Sequence, residues 1–325
     1  MKAGWYEKNG EARDVLVVGE METPKAGPGE VLVRLRTSGV NPSDVKSRKA
    51  RPLIAPRIVP HSDGAGVIEA VGEGVATARI GERVFIWNGQ WKRAFGTAAE
   101  FIAVPNGQAV RLAEAVDFDA GACLGIPALT ALHAVKLHGD IAGKTLLVTG
   151  AAASVGHYAV QIAKLAGARV IGTASDSRRD HALDAGCDEV IDYRAEDVVA
   201  RVKDLTGGKG ADGIIDMDLS STAALLPGGV LVPHGKLVCY GSNVAADVPV
   251  SFPALLWGSL TLQVFVVYEL TTNERAVRLK ELGELLDAGK LRHAIGATFP
   301  IDEIAAAHEA VEQGQIIGNV VLRVD

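Results

Sequence analysis

Between a short apolar run, Thr145–Thr149 (TLLVT), and a stretch with helical spacing lies Gly150-Ala151-Ala152-Ala153-Ser154-Val155-Gly156. A dinucleotide pyrophosphate asks for such a segment: a tight turn, small side chains that let the backbone approach, and a helix N-terminus with free N–H groups. Gly150 can make the turn, Ala152, Ala153, Ser154 and Val155 offer small side chains and amide donors, and Gly156 lets helix and strand pack closely. Only the two outer glycines of the usual three-glycine pattern are present, so the same residues also suit a turn made for packing alone. The next strand bears on which nucleotide binds. An NAD site usually closes that strand with an acid for the ribose hydroxyls. Here it closes Gly172-Thr173-Ala174-Ser175, followed by Asp176-Ser177-Arg178-Arg179. Two arginines match a 2′-phosphate in charge and in fork geometry, which points to NADPH. Asp176, two positions late, would suit NAD instead, and a solvated helix face would use the arginines equally well.

These residues need a sheet to hold them. Val155, Ala159, Ile162, Ala163 and Ala166 recur at helical spacing, Ala168–Thr173 reads as a strand, His181–Ala185 as helix and Glu189–Tyr193 as strand again. Asp212–Met217 and Lys236–Tyr240 add two more strands. Repeated β–α–β units with almost wholly apolar strands predict a parallel sheet covered on both faces. Upstream the rhythm differs. Asp14–Glu20 and Val31–Thr37 flank the turn chemistry of Pro24–Glu30, and Gly64–Gly72, Arg83–Trp87 and Glu100–Val104 continue as short strands. That spacing predicts a barrel-like or sandwich-like domain. Helices at Asn273–Ala288 and Asp302–Gln313 and a last strand at Asn319–Val324 close the chain. The predicted class is α/β: a doubly wound parallel-sheet domain over 123–267, inserted into a discontinuous β-rich domain of 1–122 and 268–325.

Composition narrows the partners. The 325 residues carry 33 Lys and Arg against 39 Asp and Glu, a net charge of −6, which disfavours nucleic acid because phosphate binding needs a concentrated basic surface. No apolar run approaches a membrane span, and the opening MKAGWYEKNGEARD lacks the apolar core of a signal peptide. Three isolated cysteines, Cys123, Cys187 and Cys239, fit reduced thiols in a cytoplasmic protein.

Taken in order, Gly39–Asp44 (GVNPSD), Pro60–Gly72 (PHSDGAGVIEAVG), Gly81–Phe85 (GERVF), Gly125–Ala131 (GIPALTA), Gly150–Gly156, Asp188–Tyr193 (DEVIDY), Gly235–Ser242 (GKLVCYGS) and Gly318–Leu322 (GNVVL) cover nearly the whole chain. The sequence resembles the quinone oxidoreductase, or zeta-crystallin-like, branch of the medium-chain dehydrogenase/reductase superfamily. The resemblance implies a GroES-like catalytic domain and a Rossmann domain, with the active site in the cleft between them. It implies pyrophosphate on Ala152–Val155 and the adenosine phosphate near Ser175, Arg178 or Arg179, and Tyr193. Gly241 and Ser242 would line the far side, and Thr130, Val264, Phe265 and Val266 would lie near the nicotinamide. Tyr193 would equally serve as a half-buried edge-strand aromatic.

Many members of that superfamily are zinc alcohol dehydrogenases, and catalytic zinc needs a Cys or His first shell. Asn41 stands where those relatives have Cys, no four-cysteine cluster exists, and His61 mimics their histidine one residue out of step, so no metal is expected. Without a metal, a saturated ketone is poorly activated, whereas a quinone or conjugated enone spreads the incoming charge into a hydroquinone or enolate. A quinone is the first expectation and an enal or enone C=C the alternative. Asn41 can donate an amide N–H to the acceptor oxygen and Asp44 can orient neighbours or hold water for protonation; both residues are also ordinary turn formers. Three departures from the resemblance stand near this segment. Lys46 replaces a tyrosine, where it would stabilise negative charge, touch cofactor phosphate or be surface charge. His61 replaces a common glycine, and Trp87 and Trp91 flank the polar loop Asn88-Gly89-Gln90, which would wall the substrate cleft. A non-catalytic, NADPH-binding crystallin-like protein is the competing class. The apolar run Leu255–Val267 reads as an edge strand that pairs with a second copy in a homodimer, or as an ordinary buried strand.

Overall fold

The computed structural model describes residues 1–324. The chain forms two compact units, Met1–Pro127 with the segment from Leu279 onward, and Ala128–Arg278. Both boundaries lie beyond the expected 122/123 and 267/268, for local reasons. Gly125 is pressed so closely on the first unit that a Cβ there would stand 2.5 Å from Asp63 Oδ1. At the other end, buried Arg275 donates to the Val267 carbonyl at 2.6 Å and ties the start of the Thr272–Asp287 helix to the second unit.

Fifteen strands run through the described residues: β1 Lys2–Trp5, β2 Val17–Glu20, β3 Glu30–Val40, β4 Asp63–Val71, β5 Arg83–Ile86, β6 Phe101–Pro105, β7 Ala109–Arg111, β8 Thr145–Val148, β9 Arg169–Ala174, β10 Glu189–Asp192, β11 Ala211–Asp216, β12 Leu231–Cys239, β13 Thr261–Val264, β14 Ile295–Pro300 and β15 Asn319–Arg323. The first unit is β-rich. Its main sheet runs β14-β15-β3-β4-β5-β7, with β6 also paired to β3, and β1 and β2 form a separate pair. Strand β3 shows why the pattern folds this way: Val31, Val33 and Leu35 enter the core while Arg34 points out to a bidentate pair with Glu69 at 2.8 Å. The helix Pro42–Ala50 follows β3 directly. Its start is defined by Pro42 at the first position and by Asp44, which accepts from the Asn41 amide at 2.8 Å.

The second unit is a six-stranded parallel sheet in the order β10-β9-β8-β11-β12-β13. That is the doubly wound Rossmann arrangement, whose order reverses between β8 and β11 and opens a crevice at their carboxyl ends. The predicted parallel sheet and β-rich domain are thus both present, as a GroES-like and a Rossmann unit.

Three local expectations change. The segment Asp14–Glu20 begins as a helical turn, Ala12–Val15, before β2. Strand β14 escapes notice because its residues alternate only between exposed and half-buried. The run Leu255–Val267 is not one strand. Ser251 caps a helix at Phe252–Gly258, accepting from the Ala254 amide, Pro253 suits that first turn, and Ser259 in a left-handed conformation (φ 48°) ends it. Only Thr261–Val264 pairs, at the sheet edge.

Candidate active site

In the first unit, the turn from β3 into the Pro42–Ala50 helix faces the start of β4, and the two bring Asn41, Asp44 and Asp63 together. Asn41 is clamped between two carboxyl groups: its backbone N–H donates to Asp44 Oδ2 at 2.8 Å and its side-chain amide to Asp63 Oδ2 at 2.9 Å. One amide hydrogen of the expected oxyanion donor is therefore committed within the chain, which fixes the direction of the other. Burial pushes the Asp44 carboxyl up to about 7, against the hydrogen bonds from Asn41 and the nearby Arg51 charge. Asp63 is enclosed and held well above the usual carboxylate range, by burial first and then by Asp44, and its Oδ1 has no partner. Asp44 can thus carry a proton near neutrality, and Asp63, its carboxyl shifted upward by the same burial, aims Asn41.

Behind this group runs a chain of buried hydrogen bonds. Thr97 Oγ1 donates to the Asp63 carbonyl, Ser38 Oγ lies 2.8 Å from Thr97 Oγ1 and 2.8 Å from His61 Nδ1, and His61 Nε2 lies 2.9 Å from His308 Nε2. A carbonyl only accepts, so each proton follows in turn. Thr97 accepts from Ser38, Ser38 accepts from His61 Nδ1–H, and His61 Nε2 accepts from His308 Nε2–H. Burial holds the His61 imidazole neutral by pushing it down to about 3. His61 adopts φ 75°, a left-handed conformation that favours glycine and matches the glycine it replaces. Both of its ring nitrogens are hydrogen-bonded within the chain.

Lys46 lies elsewhere. It is exposed, whereas Asp44, Ser47 and Arg48 form the buried face of the same helix. The two-residue step from Asp44 turns its side chain about 200° away.

In the second unit, β8 leads into Gly150 at φ 64°, where a Cβ would meet Met217 Sδ at 2.0 Å. The Ser154–Leu165 helix follows, with Ala153 at its cap making no side-chain hydrogen bond. The amides of Ala152, Ser154 and Val155 have no acceptor among the described residues. A Cβ on Gly156 would stand 2.1 Å from the Gly150 carbonyl, so that position is a close approach of helix to turn. Free amides, small side chains and the positive end of a helix fit a pyrophosphate. Asp216, at the end of β11, braces the turn by accepting from Thr149 Oγ1 at 2.8 Å.

At the end of β9, Ser175 is buried and lies 3.2 Å from Ser177 Oγ. Arg179 donates to the Val190 carbonyl at 2.7 Å and lies between Asp176, at 3.5 Å, and Glu196, at 3.7 Å. Tyr193 is half exposed rather than packed, and the Arg194 guanidinium lies 5.7 Å from its ring centre. Gly241 follows β12 in a close approach, a Cβ there meeting the Met217 carbonyl at 2.7 Å, and Ser242 accepts from the Val244 amide at 3.2 Å. Val264 and Val266 are exposed.

Phe265 belongs to a group that local sequence did not reveal. It packs edge-on against His133 at 4.7 Å between ring centres and lies 6.4 Å from Tyr240. Thr130 Oγ1, His133 Nδ1 and Tyr240 Oη are all buried without partners among the described residues. Thr130 and His133 stand three apart on one helix face, the one signal that would have found the second of them. Such orphaned donors and acceptors fit the amide and ribose of a nicotinamide nucleoside.

Two families match the chain: an alcohol dehydrogenase GroES-like domain over residues 27–114 and a zinc-binding dehydrogenase over residues 185–322. The quinone oxidoreductase of Sus scrofa is 31% identical over 301 residues, 90% of this chain and 88% of that protein. The chain belongs to the quinone oxidoreductase branch of the medium-chain dehydrogenase/reductase superfamily. It is an oxidoreductase. A 2-haloacrylate reductase from a Burkholderia species is 31% identical over 99% of this chain and 98% of that one. Among solved structures, an NAD-dependent alcohol dehydrogenase superimposes with a TM-score of 0.89 at 28% identity, covering 100% of both chains. A mycobacterial protein complexed with NADPH gives a TM-score of 0.86 at 28% identity, over 99% of this chain and 100% of that one. The zinc named by one matching family finds no fit here. Among the described residues no three His, Cys, Asp or Glu side chains are grouped to hold a metal ion, and all three cysteines are buried, held as thiols by that burial.

Proposed function

We propose that this member of the quinone oxidoreductase branch uses NADPH to reduce a conjugated acceptor, a quinone or an enone, without a metal. The observation that carries the reading is the clamp on Asn41 by two buried carboxyl groups, one of which holds a proton near neutrality. Reduced nicotinamide, when bound, supplies the hydride. Asn41 presents its remaining amide hydrogen to the acceptor oxygen as charge develops there, and Asp44 supplies the proton that completes the hydroquinone or the saturated ketone. Quinones and haloacrylates, for which the relatives are named, share that conjugation.

For the cofactor, Ala152, Ala153, Ser154 and Val155 take the pyrophosphate, and Thr130, Gly241, Ser242, Val264, Phe265 and Val266 line the rest of its path. Ser175, Arg178 and Tyr193 take the 2′-phosphate, with Arg194 beside them. Arg179 is a brace to β10, because its guanidinium is already engaged. Lys46 has no role in the chemistry.

The test is oxidation of NADPH by metal-stripped protein with a small benzoquinone and a simple enone side by side. Turnover of either supports the reading, and the ratio chooses the acceptor. Tight NADPH binding with no turnover would favour the crystallin-like, non-catalytic alternative, and activity that returns only with zinc would overturn the metal-free chemistry.

Edge strand β13 and the neighbouring Phe252–Gly258 helix carry exposed apolar side chains, with Trp257 85% and Phe252 68% accessible. Such a patch supports a homodimer across this edge. Sedimentation at micromolar concentration checks it, and a monomer would overturn it.

A further inference from the structure

Beside the Asn41 group, wholly within the first unit, lies a cavity of about 170 Å³. Its wall comes from the last turn of the Pro42–Ala50 helix and the chain after it (Ser47, Arg51, Leu53), from Tyr6, and from the loop carrying Trp91 and Lys92. No carboxylate lines it, and two cations do. The Arg51 guanidinium lies 4.8 Å from the Trp91 ring centre and Lys92 Nζ 5.6 Å from the same ring. Stacking on an indole leaves the in-plane N–H donors of a guanidinium pointing outward, the geometry that grips a carboxylate. Arg51 has no ion-pair partner among the described residues, unlike Arg48 one turn earlier, which is paired to Glu312. Lys92 sits in the loop at φ 58°, a conformation uncommon for a side chain of its size.

The cavity adjoins the chemistry. Asp44 feels the Arg51 charge, and the Tyr6 hydroxyl feels Asp44. Arg51 follows Asp44 by seven residues, about 10 Å along a helix axis. An acceptor whose carbonyl lies at Asn41 therefore places an anionic group several bonds away on Arg51. The volume is below the roughly 300–1,000 Å³ of pockets for drug-sized ligands, so the occupant is small.

We infer that the acceptor is a small conjugated carbonyl compound bearing a carboxylate, which Arg51 and Lys92 hold over the face of Trp91. This rests on the reading of the Asn41 group as the acceptor site and narrows it to acidic acceptors. Hydride adds to the conjugated carbon, the proton on Asp44 completes the saturated product, and the carboxylate is unchanged throughout.

The experiment compares acetylacrylate with its methyl ester, and a small benzoquinone as a neutral control, on the wild type and on Arg51→Gln. The wild type is expected to prefer the acid in kcat/KM. Arg51→Gln should raise KM for the acid about 10- to 100-fold, the loss of one charge-assisted contact, while KM for the ester changes less than about twofold. Lys92→Gln should act in the same direction and less strongly. Acid and ester used equally well, or both lost together in Arg51→Gln, would overturn the inference while quinone turnover left the reductase reading intact. If no acceptor turns over, the reductase reading fails and the occupant is no acceptor, and quenching of tryptophan fluorescence by acetylacrylate still decides whether Arg51 holds a carboxylate over Trp91. Saturable quenching lost in Arg51→Gln supports it, and none in the wild type overturns it.

Discussion

The two units solve opposite problems with buried polar atoms. In the first, Asn41, Asp44, Asp63, Thr97, Ser38, His61 and His308 are joined by hydrogen bonds into one group, in which Asp63 Oδ1 and His308 Nδ1 are the buried atoms without a partner among the described residues. In the second, Thr130, His133, Tyr240 and three amides of the phosphate turn are left without partners. A satisfied network is rigid in the absence of ligand, because any movement strands a buried group. An unsatisfied one is costly until something from outside completes it. On the reading proposed above, the first unit holds the reacting group in place, and the second offers its orphans to a cofactor large enough to meet several at once.

Substitutions can break that comparison. The largest effect is expected at Asp63. Asp63→Ala removes the acceptor that aims Asn41 and should lower kcat about 100-fold, the usual scale for losing one oriented donor, with the NADPH dissociation constant unchanged. Asp63→Asn, which keeps an acceptor oxygen at that position, should retain most of the rate. Equal losses in both variants, measured in steady-state assays, would show that Asp63 acts as a carboxylate instead.

Next come the arginines of the second unit. Arg178→Ala should weaken NADPH about 10-fold and leave NADH alone, since only a 2′-phosphate uses the lost charge. Arg179→Ala should alter neither cofactor much and cost at most about 1 kcal/mol of stability, because its ion pairs are long and partly exposed. Titrations of both cofactors against both variants separate the two roles. Reversal of the pattern would mean that Arg179 leaves β10 when the phosphate arrives.

The smallest effect near neutrality is on stability. His61 titrates at an ordinary 6.5 when unfolded and at about 3 when folded. Between those values the unfolded chain binds the extra proton, so stability is complete above about pH 6.5 and is lost progressively as pH falls toward 3. Melting temperatures across that window should fall less in His61→Gln. An unchanged slope would locate the acid sensitivity elsewhere.

The phosphate turn was legible because Gly150 and Gly156 answer to local backbone demands: a left-handed φ at one, a close carbonyl at the other. The strands around it were legible as short, mostly apolar runs at regular intervals. Asp63, Ser38, Thr97 and His308 were not, because they meet only when β3, β4, the loop at Thr97 and the Ile304–Gln313 helix assemble, and no spacing along the chain records that meeting. Of the three readings of Lys46, the exposed position on the helix face away from Asp44 agrees with surface charge, and the helix that puts it there was not read from the sequence. The bond from Arg179 to the Val190 carbonyl was not legible either, because that carbonyl belongs to the next strand.

The hydrogen-bond chain from His308 to the Asp63 carbonyl bears on how this protein can change over generations. Its four side chains lie at positions 38, 61, 97 and 308, and each has spent its hydrogen on the next. Replace one, and its neighbour is left with a buried lone pair or hydrogen that nothing answers. The four are therefore expected to change together. A lineage that puts glycine back at position 61 relieves a left-handed backbone but orphans Ser38 and His308 at the same stroke, so such relatives are expected to carry apolar residues at those two positions as well.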